Sequence, residues 1–98
     1  MARFDVHPGA KRLGFLLDCQ ADLLDHLETR VVVPLLPAAG LPRATRLNPV
    51  FEIEGEKVVM STQLIFAIPV RHLQPRIMSL SGEHVAILKA LDMLIPGY

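Results

Sequence analysis

The chain has one cysteine and no tryptophan, and only 5% of its 98 residues are aromatic. A lone Cys19 excludes an internal disulfide and makes a reducing cytoplasm the expected setting. At the end of an apolar run, that thiol reads as buried and inert rather than nucleophilic. Aromatic residues so few, and not interleaved with basic ones, give no stacking platform for bases. Excess charge of one sign is also missing. Ten basic residues balance ten acidic ones, which argues against a long electrostatic footprint on nucleic acid. No apolar run approaches the ~18 residues of a membrane span, and Met1 to Gly9 lacks the apolar stretch of a signal peptide. The six glycines, Gly9, Gly14, Gly40, Gly55, Gly82 and Gly97, are too scattered to cradle a phosphate. Ser61, Thr62, Ser79 and Ser81 lack the glycine flanks of a nucleophile elbow. His7, His26, His72 and His84 contain no i, i+4 pair for a metal. Asp18, Asp22 and Asp25 are spaced like a helix face, but loop solvation and capping account for them. The residues themselves therefore indicate no catalytic site, no metal and no cofactor.

What is present is apolar surface, 51% of the residues in a single domain spanning residues 1–98. A chain of this length buries roughly two-thirds of its unfolded surface. The surplus points to a partner chain and hence to an oligomer. The organising stretch is Arg30 to Leu36, Arg-Val-Val-Val-Pro-Leu-Leu. Its β-branched run resists a helix, and its lack of alternation predicts a central strand covered on both faces. Pro34 fits a bulge or a strand end. Upstream, Phe4 and Val6 alternate with Arg3, Asp5 and His7 as a first strand, Pro8-Gly9 turns, and Leu13 to Cys19 pairs back. Gln20 to Glu28 is a polar loop carrying Leu23, Leu24 and Leu27, with Asp22 as a candidate cap. Residues 37 to 48 form a loop bearing Arg43 and Arg46. Val50 to Ile53 and Lys57 to Met60 make a hairpin around Gly55. Gln63 to Val70 is a short apolar segment, and residues 71 to 78 are a connection or an edge strand.

The last element is a helix, with Ser79 or Ser81 as its cap and Glu83 in its first turn. Ile87, Leu88, Leu91, Leu94 and Ile95 make its buried face. Ala86, Ala90 and Met93 widen the apolar arc toward a second subunit, and Lys89 with Asp92 leaves a narrow polar stripe. Pro96 ends the helix, and Gly97-Tyr98 follows as a tail. The whole reads as mainly β with one C-terminal helix.

Particular residues stand at the junctions of these elements. Phe4-Asp5-Val6 opens the chain, and Asp18-Cys19-Gln20-Ala21-Asp22-Leu23-Leu24-Asp25 follows. Next come Arg30-Val31-Val32-Val33-Pro34-Leu35, Asn48-Pro49-Val50 with the Gly55 hairpin, Ile68-Pro69-Val70, and the Leu80 to Leu91 helix onset. Over essentially the whole chain this order resembles the CcdB family, toxins of type II toxin–antitoxin modules that poison DNA gyrase. The resemblance implies an SH3-like barrel antiparallel sheet, a small accessory sheet, a C-terminal helix and a homodimer. It implies a non-enzymatic action in which the dimer binds the gyrase A subunit and traps the cleaved-DNA complex. A CcdA-like antitoxin would neutralise the toxin, and operator DNA would be met only through that complex. By the resemblance, gyrase contact falls to Leu23, Leu24, Lys89, Asp92, Pro96, Gly97 and Tyr98. Acidic antitoxin tails would meet the basic residues Lys11, Arg12, Arg43 and Arg46. The tail departs from the family's Trp-Gly-Ile ending, because Pro96-Gly97-Tyr98 places its ring at the terminus. Two alternatives accompany the resemblance. One is a same-fold endoribonuclease whose groove would use Arg43, Arg46, Arg71 and Arg76, with no carboxylate or histidine obviously joining them. The other is a non-toxic member that still binds its antitoxin.

Overall fold

A computed structural model describes residues 2–9, 14–38 and 43–95. Seven strands and one helix follow in chain order. They are β1 (Asp5–Pro8), β2 (Phe15–Asp18), β3 (Thr29–Pro37), β4 (Val50–Ile53), β5 (Glu56–Met60), β6 (Phe66–Pro69), β7 (Met78–Ser79) and α1 (His84–Leu94). The strands form one antiparallel sheet in the order β4-β5-β3-β2-β1-β7, with β6 also paired to β3. It curls into a half-barrel with the helix at its C-terminal end, so the mainly β fold expected from the sequence is the one formed.

β3 is the central strand, as its valine run predicts. Val32 and Val33 point to opposite faces of the sheet, and both are wholly buried. On the Val33 side, Val6, Leu17, Leu35, Val58 and Met60 meet Ile87 and Ala90 of α1 in the main core. Pro34 costs the ladder nothing, for a reason set by register. The Val31 carbonyl accepts the Cys19 N–H at 2.9 Å on the β2 edge, and the Pro34 carbonyl accepts the Ser61 N–H at 2.9 Å on the other edge. On that second edge β6 pairs with Thr29 to Val32 and β5 with Leu35 to Pro37. The donor that Pro34 lacks therefore falls in the gap between two partners. The β4–β5 hairpin turns on Glu54 (φ 51°) and Gly55 (φ 79°), two left-handed residues in the arrangement that matches strand twist.

Four local expectations are corrected. Phe4 is not in the first strand. Its φ is 72°, and its N–H donates to the Asp18 carbonyl while its own carbonyl accepts the Leu80 N–H. Asp5 and His7 alternate with apolar residues yet are buried, because the segment after β6 covers that face. Asp22 does not cap its turn. Ala21 holds that position, and the Asp22 carboxylate accepts the Arg3 N–H at 2.8 Å. Neither Ser79 nor Ser81 caps α1 itself, although the Ser79 hydroxyl accepts the Ser81 N–H at 3.1 Å just before it.

The buried line of α1 is also rotated from expectation. Ala90, placed on the outer arc, is fully buried, while Ile95, placed on the inner face, is 67% exposed. Ala90 packs with Ile87 in the main core, where a methyl is all the side chain that is buried. Ile95 lies beyond the last helical residue at φ −127° and ψ 84°, so helical periodicity no longer directs it. The outward stripe is Val85, Lys89, Asp92 and Met93, all exposed.

Candidate functional site

Exposed leucines need a reason, and Leu23 is 88% exposed. It sits in a single 3-10 turn, Asp22–Leu24, that follows β2. Beneath that loop is a chain of buried polar groups. Arg30 grips the Asp18 carboxylate with two bonds, Nε to Oδ2 at 2.8 Å and Nη2 to Oδ1 at 2.9 Å, and both side chains are wholly buried. The same carboxylate accepts the Gln20 N–H at 3.0 Å. The Gln20 side chain then accepts the Val31 N–H at 3.0 Å and donates to the Leu24 carbonyl at 2.7 Å. The outcome is an apolar tip, Leu23 with half-exposed Leu24 and Leu27, fixed from below by the sheet. Asp18, Gln20 and Arg30 were missed as its supports. The available signal was an acid closing one apolar run and an arginine opening the next.

Residues 45–48, before β4, are fixed as firmly. Thr45 and Asn48 bond each other twice, Asn48 N–H to the Thr45 hydroxyl at 2.9 Å and Thr45 N–H to the Asn48 carbonyl at 3.2 Å. The Asn48 amide donates to the Met60 carbonyl at 2.9 Å, and the buried Thr62 hydroxyl donates to the Leu47 carbonyl. The loop before β4 carries the exposed Arg43 and Arg46. It brings Arg46 to α1, where Thr45, Arg46, Pro49, Ala86 and Lys89 line a cleft of about 410 Å³. Arg46 and Lys89, expected to serve different partners, thus share one site. Lys11, Arg12, Pro96, Gly97 and Tyr98 lie outside the described residues.

One cleft, of about 520 Å³, does join a histidine, a carboxylate and an arginine. It is lined by Asp5, His7, Gln74 and Arg76, among others. The expectation that no acid or histidine accompanies the arginines is corrected here, because the segment covering β1 folds Arg76 onto Asp5 at 3.3 Å. The His7 Nδ1 lies 2.7 Å from the Gln74 carbonyl, and a carbonyl only accepts, so Nδ1 carries the proton. The remaining nitrogen, Nε2, is buried with no partner. Among the described residues, no group of three or more His, Cys, Asp or Glu side chains is disposed to hold a metal, and no helix is long and apolar enough to cross a membrane.

Cys19 is buried, as expected. Burial first, and the neighbouring Asp18 charge second, push its thiol from 9.0 up to about 12, against a smaller opposing pull from Arg3. Iodoacetamide is therefore expected to leave the native thiol untouched at neutral pH and to label it fully in denaturant. The raised value also has a stability sign. The stabilisation is complete below pH 9, where the unfolded thiol is still protonated, and is lost as pH rises toward about 12. A Cys19→Ala chain should lose that part of the alkaline slope in urea unfolding, and an unchanged slope would refute the assignment.

No curated protein matches the chain. A family model described as CcdB protein matches residues 3–97, which include both fixed loops, the central strand and the whole of α1. The chain belongs to the CcdB family, the toxins of toxin–antitoxin modules.

Proposed function

We propose that this toxin acts by binding the DNA gyrase A subunit and trapping the cleaved-DNA complex, without catalysis of its own. The supporting observation is the Leu23–Leu24 tip, an exposed apolar anchor held by a buried polar network. An apolar side chain on a loop whose backbone need not be ordered on binding suits an interface hot spot. Lys89 and Asp92 on the outer stripe of α1, with Pro96, Gly97 and Tyr98 after it, complete the gyrase-facing surface in this reading. A homodimer would cover Leu64 and Phe66, which are 53% and 43% exposed. Obligate interfaces of that kind usually exceed ~2,000 Å² in total. A CcdA-like antitoxin would neutralise the toxin through Arg43 and Arg46, with Lys11 and Arg12, and operator DNA would be bound only by the joint complex. The setting in this reading is the cytoplasm.

Expression of the chain should arrest growth and raise gyrase-dependent DNA breaks. Leu23→Asp with Leu24→Asp should weaken gyrase A binding by ~30-fold or more, the equivalent of at least ~2 kcal/mol, while circular dichroism stays unchanged. Removal of Gly97 and Tyr98 tests the tail separately, and undiminished toxicity would take it off the surface. A full-length chain that neither slows growth nor binds gyrase A would leave the non-toxic, antitoxin-binding reading.

A further inference from the structure

The shared cleft has a chemistry of its own. Arg46 and Lys89 are both exposed, and the ion pairs among the described residues are Arg30–Asp18 and Arg76–Asp5, so neither cation is paired with a described residue. Among the described residues no carboxylate lines the cleft, and the apolar lining includes Pro49, which is buried, and Ala86, which is half-buried. Two cations facing one apolar-floored cleft repel each other, and a shared anion relieves that repulsion. Both stand on a fixed backbone. Arg46 stands on the turn tied down by Thr45, Asn48 and Thr62, and Lys89 stands one turn along α1 from Ala86. A fixed backbone removes part of the freedom that binding would otherwise cost.

We propose that this cleft is a subsite for one carboxylate side chain of an acidic peptide segment. The carboxylate sits between Arg46 and Lys89, and an apolar neighbour in the peptide rests on Pro49 and Ala86. The inference rests on the reading of the Arg43–Arg46 loop as antitoxin-facing, and it adds Lys89 and the chemistry of the bound group. A nucleic-acid backbone fits less well. Asp92 lies three residues beyond Lys89 on the same exposed face and would repel the next phosphate in a row. The chain as a whole also carries no net positive charge to attract a polyanion.

The test is titration of the full chain with a short capped peptide alternating glutamate and leucine, followed by amide shifts in NMR. Shifts are expected at Arg46, Ala86 and Lys89, and a glutamine–leucine peptide should bind several-fold more weakly. Arg46→Ala and Lys89→Ala should each weaken the glutamate peptide by about two- to fivefold. Lys89→Arg should restore binding, and Arg71→Ala, at an exposed cation lining a different cleft, should leave it unchanged. Absent binding, equal binding of the glutamine peptide, or an equal loss from Arg71→Ala overturns the proposal. So does tighter binding of a thymidine oligonucleotide through the same two residues. The partner reading fails separately. If Arg43→Ala with Arg46→Ala abolishes neutralisation while the peptide ignores Lys89, the loop assignment stands and the subsite falls. If the peptide needs both cations while neutralisation needs neither, the subsite stands and the loop assignment falls.

Discussion

Arg30→Met is expected to lower the unfolding free energy by about 3–5 kcal/mol, because it leaves a carboxylate buried without its counter-charge. Asp18 has no exposed surface, and two of the three hydrogen bonds its carboxylate accepts come from the Arg30 guanidinium. Asp18→Leu should cost a similar amount for the mirror reason, since Arg30 is also wholly buried and its Nη1 already lacks a partner. The double change, Arg30→Met with Asp18→Leu, should be less damaging than either single one. It removes both charges together and leaves mainly the Gln20 N–H without an acceptor, a loss of about 1–3 kcal/mol. Urea midpoints at one fixed protomer concentration complete the cycle. If the two single losses sum to the double loss, the pair is not coupled and the buried network does not hold the loop. Single variants that stay folded should also bind partners poorly through the Leu23–Leu24 tip, because Gln20 aligns that loop only while Asp18 aligns Gln20.

Gly14→Ala is expected to cost about 2–4 kcal/mol, and two physical terms contribute. The backbone at Gly14 has φ +70°, where a Cβ adds roughly 1–2 kcal/mol of strain. That Cβ would also overlap the carbonyl oxygen of Leu35, a fully buried residue of the central strand that cannot retreat without breaking the ladder. Gly55→Ala separates the two terms. Its φ is +79° but nothing lies within 4 Å of the added carbon, so only the conformational part, about 1 kcal/mol, applies. In a domain of this size the midpoint of thermal unfolding should fall by roughly 10 °C or more for Gly14→Ala and by roughly 5 °C for Gly55→Ala. Equal shifts would show that the Leu35 oxygen plays no part.

Several features follow from local chemistry, and the sequence alone determined them. Three consecutive β-branched residues made β3 a covered strand, an adjacent Glu54-Gly55 pair made the β4–β5 turn, and the spacing from Ile87 to Leu94 made a helix. Family membership was legible for a related reason, since the junction residues that carry it are short-range signals spread over the whole chain. Contacts across the sheet were not legible. Asp18 and Arg30 are twelve positions apart, and only antiparallel register brings their side chains together under the Leu23 loop. Asp5 and His7 looked like the wet face of a strand and became buried because a later segment lies over them. The apolar arc of α1 was too wide to say which line would face inward, and docking of the helix placed Ile87 and Ala90 in the core. Arg46 reached Lys89 because hydrogen bonds from Thr62 and Asn48 set the path of a loop that periodicity does not describe. Local propensity acts within a few residues, whereas a site here is built by pairing register and helix docking, which only the folded chain specifies.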